Sequence, residues 1–414
     1  VFVIGFQLLE SRWEEIGGQE SDAGERVCHR ISTAGEQVGG NRRTRKRRRL
    51  VIPRSVSDAL TPRFVRFHQL ILFSSNQCIL HLKGSNLMTQ SITFTNPILE
   101  QRADPWVYRH TDGYYYFSAS VPAFDRIEIR RARTIEELKD AEPVTAWRKR
   151  DTGPMSANIW APEIHFIDGK WYIYYAAAHT SETNEGLFDH RMYVLENESA
   201  NPLEGEWVEK GQTRTRWESF ALDATTFEHR GIRYLVWAQK DPDIPGNSNL
   251  YISEMENPWT LRGEQVMIST PEYDWEIIGF KVNEGAAVLH RNGRIFIGYS
   301  ASATDYNYCM GLLTADENAD LLDPASWVKS PEPVFQTCEA NGQYGPGHNS
   351  FTVTPDGQTD ILIYHARNYK EIEGDPLYDP NRHARAQVIH WREDGTPDFG
   401  VPVPDGKAVA EVEQ

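Results

Sequence analysis

Five times between residues 112 and 357 the chain sets a glycine-ended turn pair ahead of a short aromatic-rich run. The pairs are Asp112-Gly113, Asp168-Gly169, Arg230-Gly231, Asn292-Gly293 and Asp356-Gly357, and their glycines stand 56, 62, 62 and 64 residues apart. Runs such as Trp171-Tyr172-Ile173-Tyr174-Tyr175 and Ile295-Phe296-Ile297-Gly298-Tyr299 follow them. Asp-Gly and Asn-Gly supply the positive φ angles that tight hairpin turns require. A repeat of about 60 residues built from short strands is the pattern of a β-propeller, whose blades bury their faces only against one another. Five copies predict an all-β fold, a five-bladed β-propeller filling residues 88–414. A sandwich with coincidental hairpins is the alternative, and four near-equal intervals argue against it. Helical pattern is sparse, with Thr134–Asp140 the clearest short candidate.

Charge divides the chain in two. The 414 residues carry a net charge of −16, but residues 1–87 sum to +6 and the remainder to −22. The first part holds the basic run Arg42-Arg43-Thr44-Arg45-Lys46-Arg47-Arg48-Arg49 and no sustained period of 2 or 3.6. A nuclear-localisation or nucleic-acid patch and a damaged signal peptide are two readings of it. The reading adopted is a basic, disordered or spurious N-terminal extension, because all six methionines lie at or beyond Met88. The catalytic domain is then 88–414.

The acidity of that body argues against a nucleic-acid partner. No stretch approaches the ~18 apolar residues of a membrane span, so no membrane partner is expected. Cys28, Cys78, Cys309 and Cys338 are too scattered for a disulfide scaffold or a zinc site. Eleven of the twelve tryptophans fall beyond residue 87, which suits an all-β protein that faces carbohydrate. The residues after Met88 show no signal peptide, so the expected compartment is the cytoplasm, with secretion the alternative.

The first strand of a propeller blade lines the central channel, so residues just ahead of each hairpin converge. Six to nine residues before each glycine stands one polar residue: Asp104, Glu163, Asp223, Glu284 and His348. Crowded carboxylates repel, and burial raises their pKa, so such a cluster costs stability unless it is used or paired. For Glu163 simple pairing is as good a reading as a role in chemistry.

Around these positions the chain resembles glycoside hydrolase family 43, five-bladed propellers that cleave arabinose- or xylose-containing polysaccharides with inversion. The matching motifs are Ala103-Asp104-Pro105-Trp106, Trp160-Ala161-Pro162-Glu163, Leu222-Asp223, Asn283-Glu284-Gly285, Gly345-Pro346-Gly347-His348-Asn349, and Arg382 with Gln387. Residues 1–87 have no counterpart in the family. The resemblance implies Asp104 as general base, Glu284 as general acid, and Asp223 as the carboxylate that orients the acid and raises its pKa. It implies that Arg382 binds the sugar. It further implies that His348 holds a calcium ion in the channel through waters; no cofactor is otherwise expected. The third-blade motif departs from the family in carrying Ala224 where a proline is usual.

Inverting hydrolysis needs one protonated carboxyl on the leaving oxygen and one ionised carboxyl activating water on the opposite face, roughly 6.5–9.5 Å apart. Trp106, Trp160, Phe220, Phe280 and Tyr344 are candidates to stack on a pentose, with core packing the alternative. His165 and His365 are expected to be structural. The predicted activity is an inverting α-L-arabinofuranosidase that releases terminal arabinose from arabinan or arabino-oligosaccharides. β-Xylosidase is the runner-up, endo-arabinanase follows, and a non-catalytic sugar-binding propeller is the reading from another class.

Overall fold

The computed structural model describes residues 92–410, so expectations for 1–87 lie outside the described residues. Strand β1 (Ile92–Asn96) pairs antiparallel with the last strand, β23 (Gly406–Ala410). Between them the chain builds five sheets in succession. Blade one is β2 (Ala103–Arg109), β3 (Tyr115–Ser120), β4 (Arg126–Ala132) and β5 (Val144–Arg148). Blade two is β6 (Ala157–Ile167), β7 (Lys170–Ala178), β8 (Arg191–Asn197) and β9 (Val208–Gln212). Blade three is β10 (Ala221–His229), β11 (Ile232–Gln239), β12 (Asn249–Asn257) and β13 (Thr260–Ser269). Blade four is β14 (Asn283–Arg291), β15 (Arg294–Ala301), β16 (Cys309–Asp316) and β17 (Val328–Lys329). Blade five is β18 (Tyr344–Val353), β19 (Asp360–Arg367) and β20 (His383–Val388), after which β21 (His390–Trp391) and β22 (Pro397–Asp398) form a small hairpin. This is the five-bladed propeller the repeat predicts.

Blade five has three strands, and the segment just after β1 bridges to the free edge of β20. Ile98 N–H donates to Ala384 O and Ala384 N–H donates to Leu99 O, both at 2.9 Å. Asn96 brackets Ala386, its Nδ2 donating to the Ala386 carbonyl and its Oδ1 accepting the Ala386 amide. The ring is thus closed by chain ends more than 280 residues apart, which satisfies an edge that would otherwise stay open.

Each pair of neighbouring blades buries its own wedge of side chains. Tyr116, Ile127, Trp171 and Ile173 fill the space between blades one and two, and Tyr174, Leu235 and Trp237 that between two and three. Leu250, Ile252, Ile295 and Ile297 lie between three and four, Phe296, Leu312 and Tyr364 between four and five, and Phe94, Phe117 and Ile363 between five and one. Middle strands are covered on both faces, so β7 reads as a continuous apolar run rather than an alternating one.

The five turn pairs are of two kinds. Asp168-Gly169, Arg230-Gly231 and Asn292-Gly293 are two-residue hairpins, with both residues at positive φ and flanking residues paired directly. The first and last are wider loops, pairing Arg109 with Tyr115 and Val353 with Asp360, and only the glycine turns left-handed. The short helix expected at Thr134–Asp140 is one 3₁₀ turn, Glu136–Lys139. Among the described residues no helix is long and apolar enough to cross a membrane.

Candidate active site

Every blade breaks the register between its first two strands at the same point. A residue there adopts left-handed φ: Asp104 (54°), Ala161 (45°), Asp223 (55°), Gly285 (58°) and His348 (44°). A bulge of this kind re-aims side chains at the end of a strand. The four non-glycine residues hold a conformation that costs about 1–3 kcal/mol each, strain of a sort that gathers at functional sites. In blade four the position is glycine for a steric reason: a Cβ there would lie 3.2 Å from His348 Cγ. The acid of that blade, Glu284, stands one residue earlier.

A cavity of about 350 Å³ opens at these bulges, and Asp104, Asp223, Glu284, His348 and Arg382 all line it. Asp104 Oδ2 accepts from Ser120 Oγ at 2.5 Å, while Oδ1 faces His348 Nδ1 at 3.3 Å and Arg382 Nη1 at 3.5 Å. Ser120 Oγ also accepts the amide of Ala161, which ties blade one to the bulge of blade two. Asp223 Oδ2 accepts the amide of Gly285 at 3.0 Å. Glu284 Oε1 accepts the hydroxyl of Tyr308 at 2.9 Å.

Burial sets the electrostatics. Glu284 is pushed up to about 7, first by burial and further by the charge of Asp104, against the pull of Tyr308 and Arg382. Asp223 is raised well above the carboxylate range by burial and by repulsion from Glu284 and Asp104. Glu284 and Asp223 are like charges that repel each other, so the pressure expected from Asp223 stands beside the burial and the Asp104 charge that raise the acid. What Asp223 contributes in contact is the hydrogen bond to the residue beside the acid. Burial also lowers His348, with Asp104 opposing and Arg382 assisting.

Of the aromatic candidates, Trp160, Phe220 and Phe280 line the cavity, joined by Phe188. Trp160 stacks on His190 with centroids 4.0 Å apart, and Phe188 meets it edge-on. Trp106 does not join them. Its indole donates to Ile164 O at 2.8 Å and its ring packs on His165, between blades one and two. Its place beside Asp104 in sequence is misleading because the bulge between them breaks the strand alternation. Tyr344 likewise lies outside the lining. Glu163 is buried away from the cavity, 3.1 Å from His165 Nε2, and its carboxyl is raised well above the usual range by burial.

Two supporting residues, Tyr308 and Ser300, escaped the sequence reading, and His365, expected to be structural, supports the site directly. Tyr308 comes from the β15–β16 loop, outside the repeat. Ser300 Oγ accepts the amide of His348 at 2.7 Å. His365 Nδ1 accepts the amide of Asp104 at 3.1 Å, a direct link from blade five to blade one. The one available signal was Gly347 in the blade-five motif, where a Cβ would lie 2.5 Å from the Tyr308 ring.

Among the described residues no three His, Cys, Asp or Glu side chains are grouped to hold a metal, and His348 Nδ1 faces Asp104. The residues present do not form a protein cage for a cation.

Comparison with known proteins extends the geometry. The family model described as glycosyl hydrolases family 43 matches residues 94–397. An extracellular exo-α-(1→5)-L-arabinofuranosidase of Streptomyces avermitilis is 58% identical over 316 residues, 76% of this chain. The chain spans 65% of the length of that relative. A protein of the same name from Streptomyces chartreusis is 58% identical over 283 residues, 68% of this chain and 85% of the relative. Among solved structures, the α-L-arabinofuranosidase of Lactobacillus brevis shares 60% identity at a TM-score of 0.75, covering 75% of this chain and 98% of that one. Two of these relatives are named extracellular, which overturns the expectation of a cytoplasmic enzyme. That expectation rested on the residues after Met88, and nothing in a folded propeller reports its compartment.

Proposed function

The chain belongs to glycoside hydrolase family 43, and on that footing we propose that it is an inverting, exo-acting α-L-arabinofuranosidase. Its substrates in this reading are arabinan and arabino-oligosaccharides, from which it releases terminal α-L-arabinofuranose. The names of the Streptomyces and Lactobacillus relatives support the sugar, and those of the Streptomyces proteins support exo action outside the cell. The catalytic unit is the propeller within 88–414, and the basic segment 1–87 takes no part in the chemistry.

The observation that carries the reading is the convergence of Asp104, Asp223 and Glu284, from blades one, three and four, on one cavity. Glu284, raised to about 7, is available near neutral pH to protonate the leaving oxygen. Asp104 is the general base: it takes a proton from water as that water attacks the anomeric carbon opposite the leaving group. Ser120, His348 and Arg382 fix its carboxyl. Asp223 holds the backbone beside the acid through Gly285. Arg382 binds sugar hydroxyls, with its buried Nε still lacking a protein partner among the described residues. Trp160 and Phe220 offer faces for the pentose. The steps need no cofactor.

Product analysis on linear arabinan, arabinoxylan and xylobiose tests the assignment. Arabinose from arabinan with xylobiose untouched is expected, whereas cleavage of xylobiose alone would point to a β-xylosidase.

A further inference from the structure

The hydroxyl of Tyr308 rests on the carboxyl that this reading uses as its acid. The phenol donates to Glu284 Oε1 at 2.9 Å and is fully enclosed. Its ring lies parallel to His365, centroids 5.6 Å apart and planes 2° apart, and His365 in turn accepts the amide of Asp104. Gly347 passes against the other atoms of the ring, leaving no room for a side chain there. The hydroxyl is therefore carried on a fixed lever. Glu284 Oε2 makes no hydrogen bond to another described residue, while Glu284 itself lines the cavity.

We propose that Tyr308 is a positioning residue that selects which oxygen of Glu284 carries the transferable proton. The proposal rests on Glu284 being the general acid. With Oε1 engaged as an acceptor, the proton sits on Oε2. In the reaction the Oε2–H bond breaks and the glycosidic oxygen gains that proton. Water adds to the anomeric carbon and passes a proton to Asp104 as the anomeric C–O bond breaks with its electron pair on the departing alcohol, and Glu284 is left as a carboxylate. The Tyr308 bond then becomes charge-assisted and stronger than in the resting acid. An interaction that grows along the reaction stabilises the transition state more than the ground state. The other acidic, histidine and arginine side chains lining the cavity with Glu284 are Asp104 from β2, Asp223 from β10, His348 from β18, and Asp375 and Arg382 ahead of β20.

Tyr308→Phe keeps the ring on His365 and removes only the hydroxyl. Loss of a hydrogen bond to a charged group predicts a fall in kcat on arabinotriose of roughly 10–100-fold. The alkaline limb of the kcat–pH profile should move to higher pH. The loss should be much smaller on a 4-nitrophenyl arabinofuranoside, whose leaving group needs little protonation. A 3,5-difluorotyrosine at position 308, a stronger donor of nearly the same size, should move the limb the other way, and it carries the test if Tyr308→Phe does not fold. An alkaline limb that vanishes in Glu284→Gln but stays fixed in both Tyr308 variants overturns this proposal alone. A limb that persists in Glu284→Gln overturns the acid assignment as well.

Discussion

Asp223 Oδ2 accepts the backbone N–H of Gly285 at 3.0 Å, so a carboxyl of blade three grips the strand of blade four beside Glu284. The same glycine, lacking a Cβ, lets His348 of blade five approach. Three blades meet at that one peptide.

Replacing Asp223 separates its contact from its charge. Asp223→Asn keeps an oxygen for the Gly285 amide and should lower kcat by about 10²-fold, while Asp223→Ala should lose a further factor of about ten. KM should change little in either. Equal losses in the two variants, measured on arabinotriose, would remove the hydrogen bond from the account.

Glu284 predicts both a rate profile and a stability profile. The acid works protonated, so kcat should decline as pH rises through about 7. A carboxyl raised in the folded state above its unfolded value binds its proton more tightly when folded. Its contribution to stability is therefore full below the unfolded value and is lost as pH rises through the folded one. Thermal melts should show the wild type losing more stability between pH 4.5 and 7 than Glu284→Gln. Parallel curves would contradict the burial of a protonated Glu284.

Two tryptophans near the motifs should behave differently. Trp160 lines the cavity, so Trp160→Ala should reduce kcat/KM about threefold to tenfold through KM. Trp106→Phe removes the indole bond to Ile164 O and should lower the melting temperature while leaving KM unchanged. A rise in KM for Trp106→Phe would restore it to the sugar site.

Metal removal is a fourth check. The proposed steps run on carboxyls, and no protein cage for a cation occurs among the described residues. Activity on aryl arabinofuranoside after prolonged chelation and dialysis should equal that of the untreated enzyme. Loss that calcium restores would require an ion held mainly through water.

Much of this was legible in the sequence because hairpins and bulges repeat. The turn pairs gave blade number, and the motif residues gave Asp104, Asp223, Glu284, His348 and Arg382, which share one cavity. The equivalence within blade two was misjudged. The structural counterpart of Asp104 is Ala161, and Glu163, the polar residue of the motif Trp160-Ala161-Pro162-Glu163, lies two residues beyond the bulge. Trp106 was lost to a bulge that no propensity announces. His365 acts across a blade boundary, a proximity that exists only once the ring closes, and Tyr308 reaches Glu284 within blade four from a loop that lies outside the repeat.

The central claim is inversion by Asp104 and Glu284, and the anomer of the first product tests it most directly. Proton NMR during hydrolysis of an arabino-oligosaccharide should show β-L-arabinofuranose appearing before mutarotation. Initial release of the α-anomer would contradict the account.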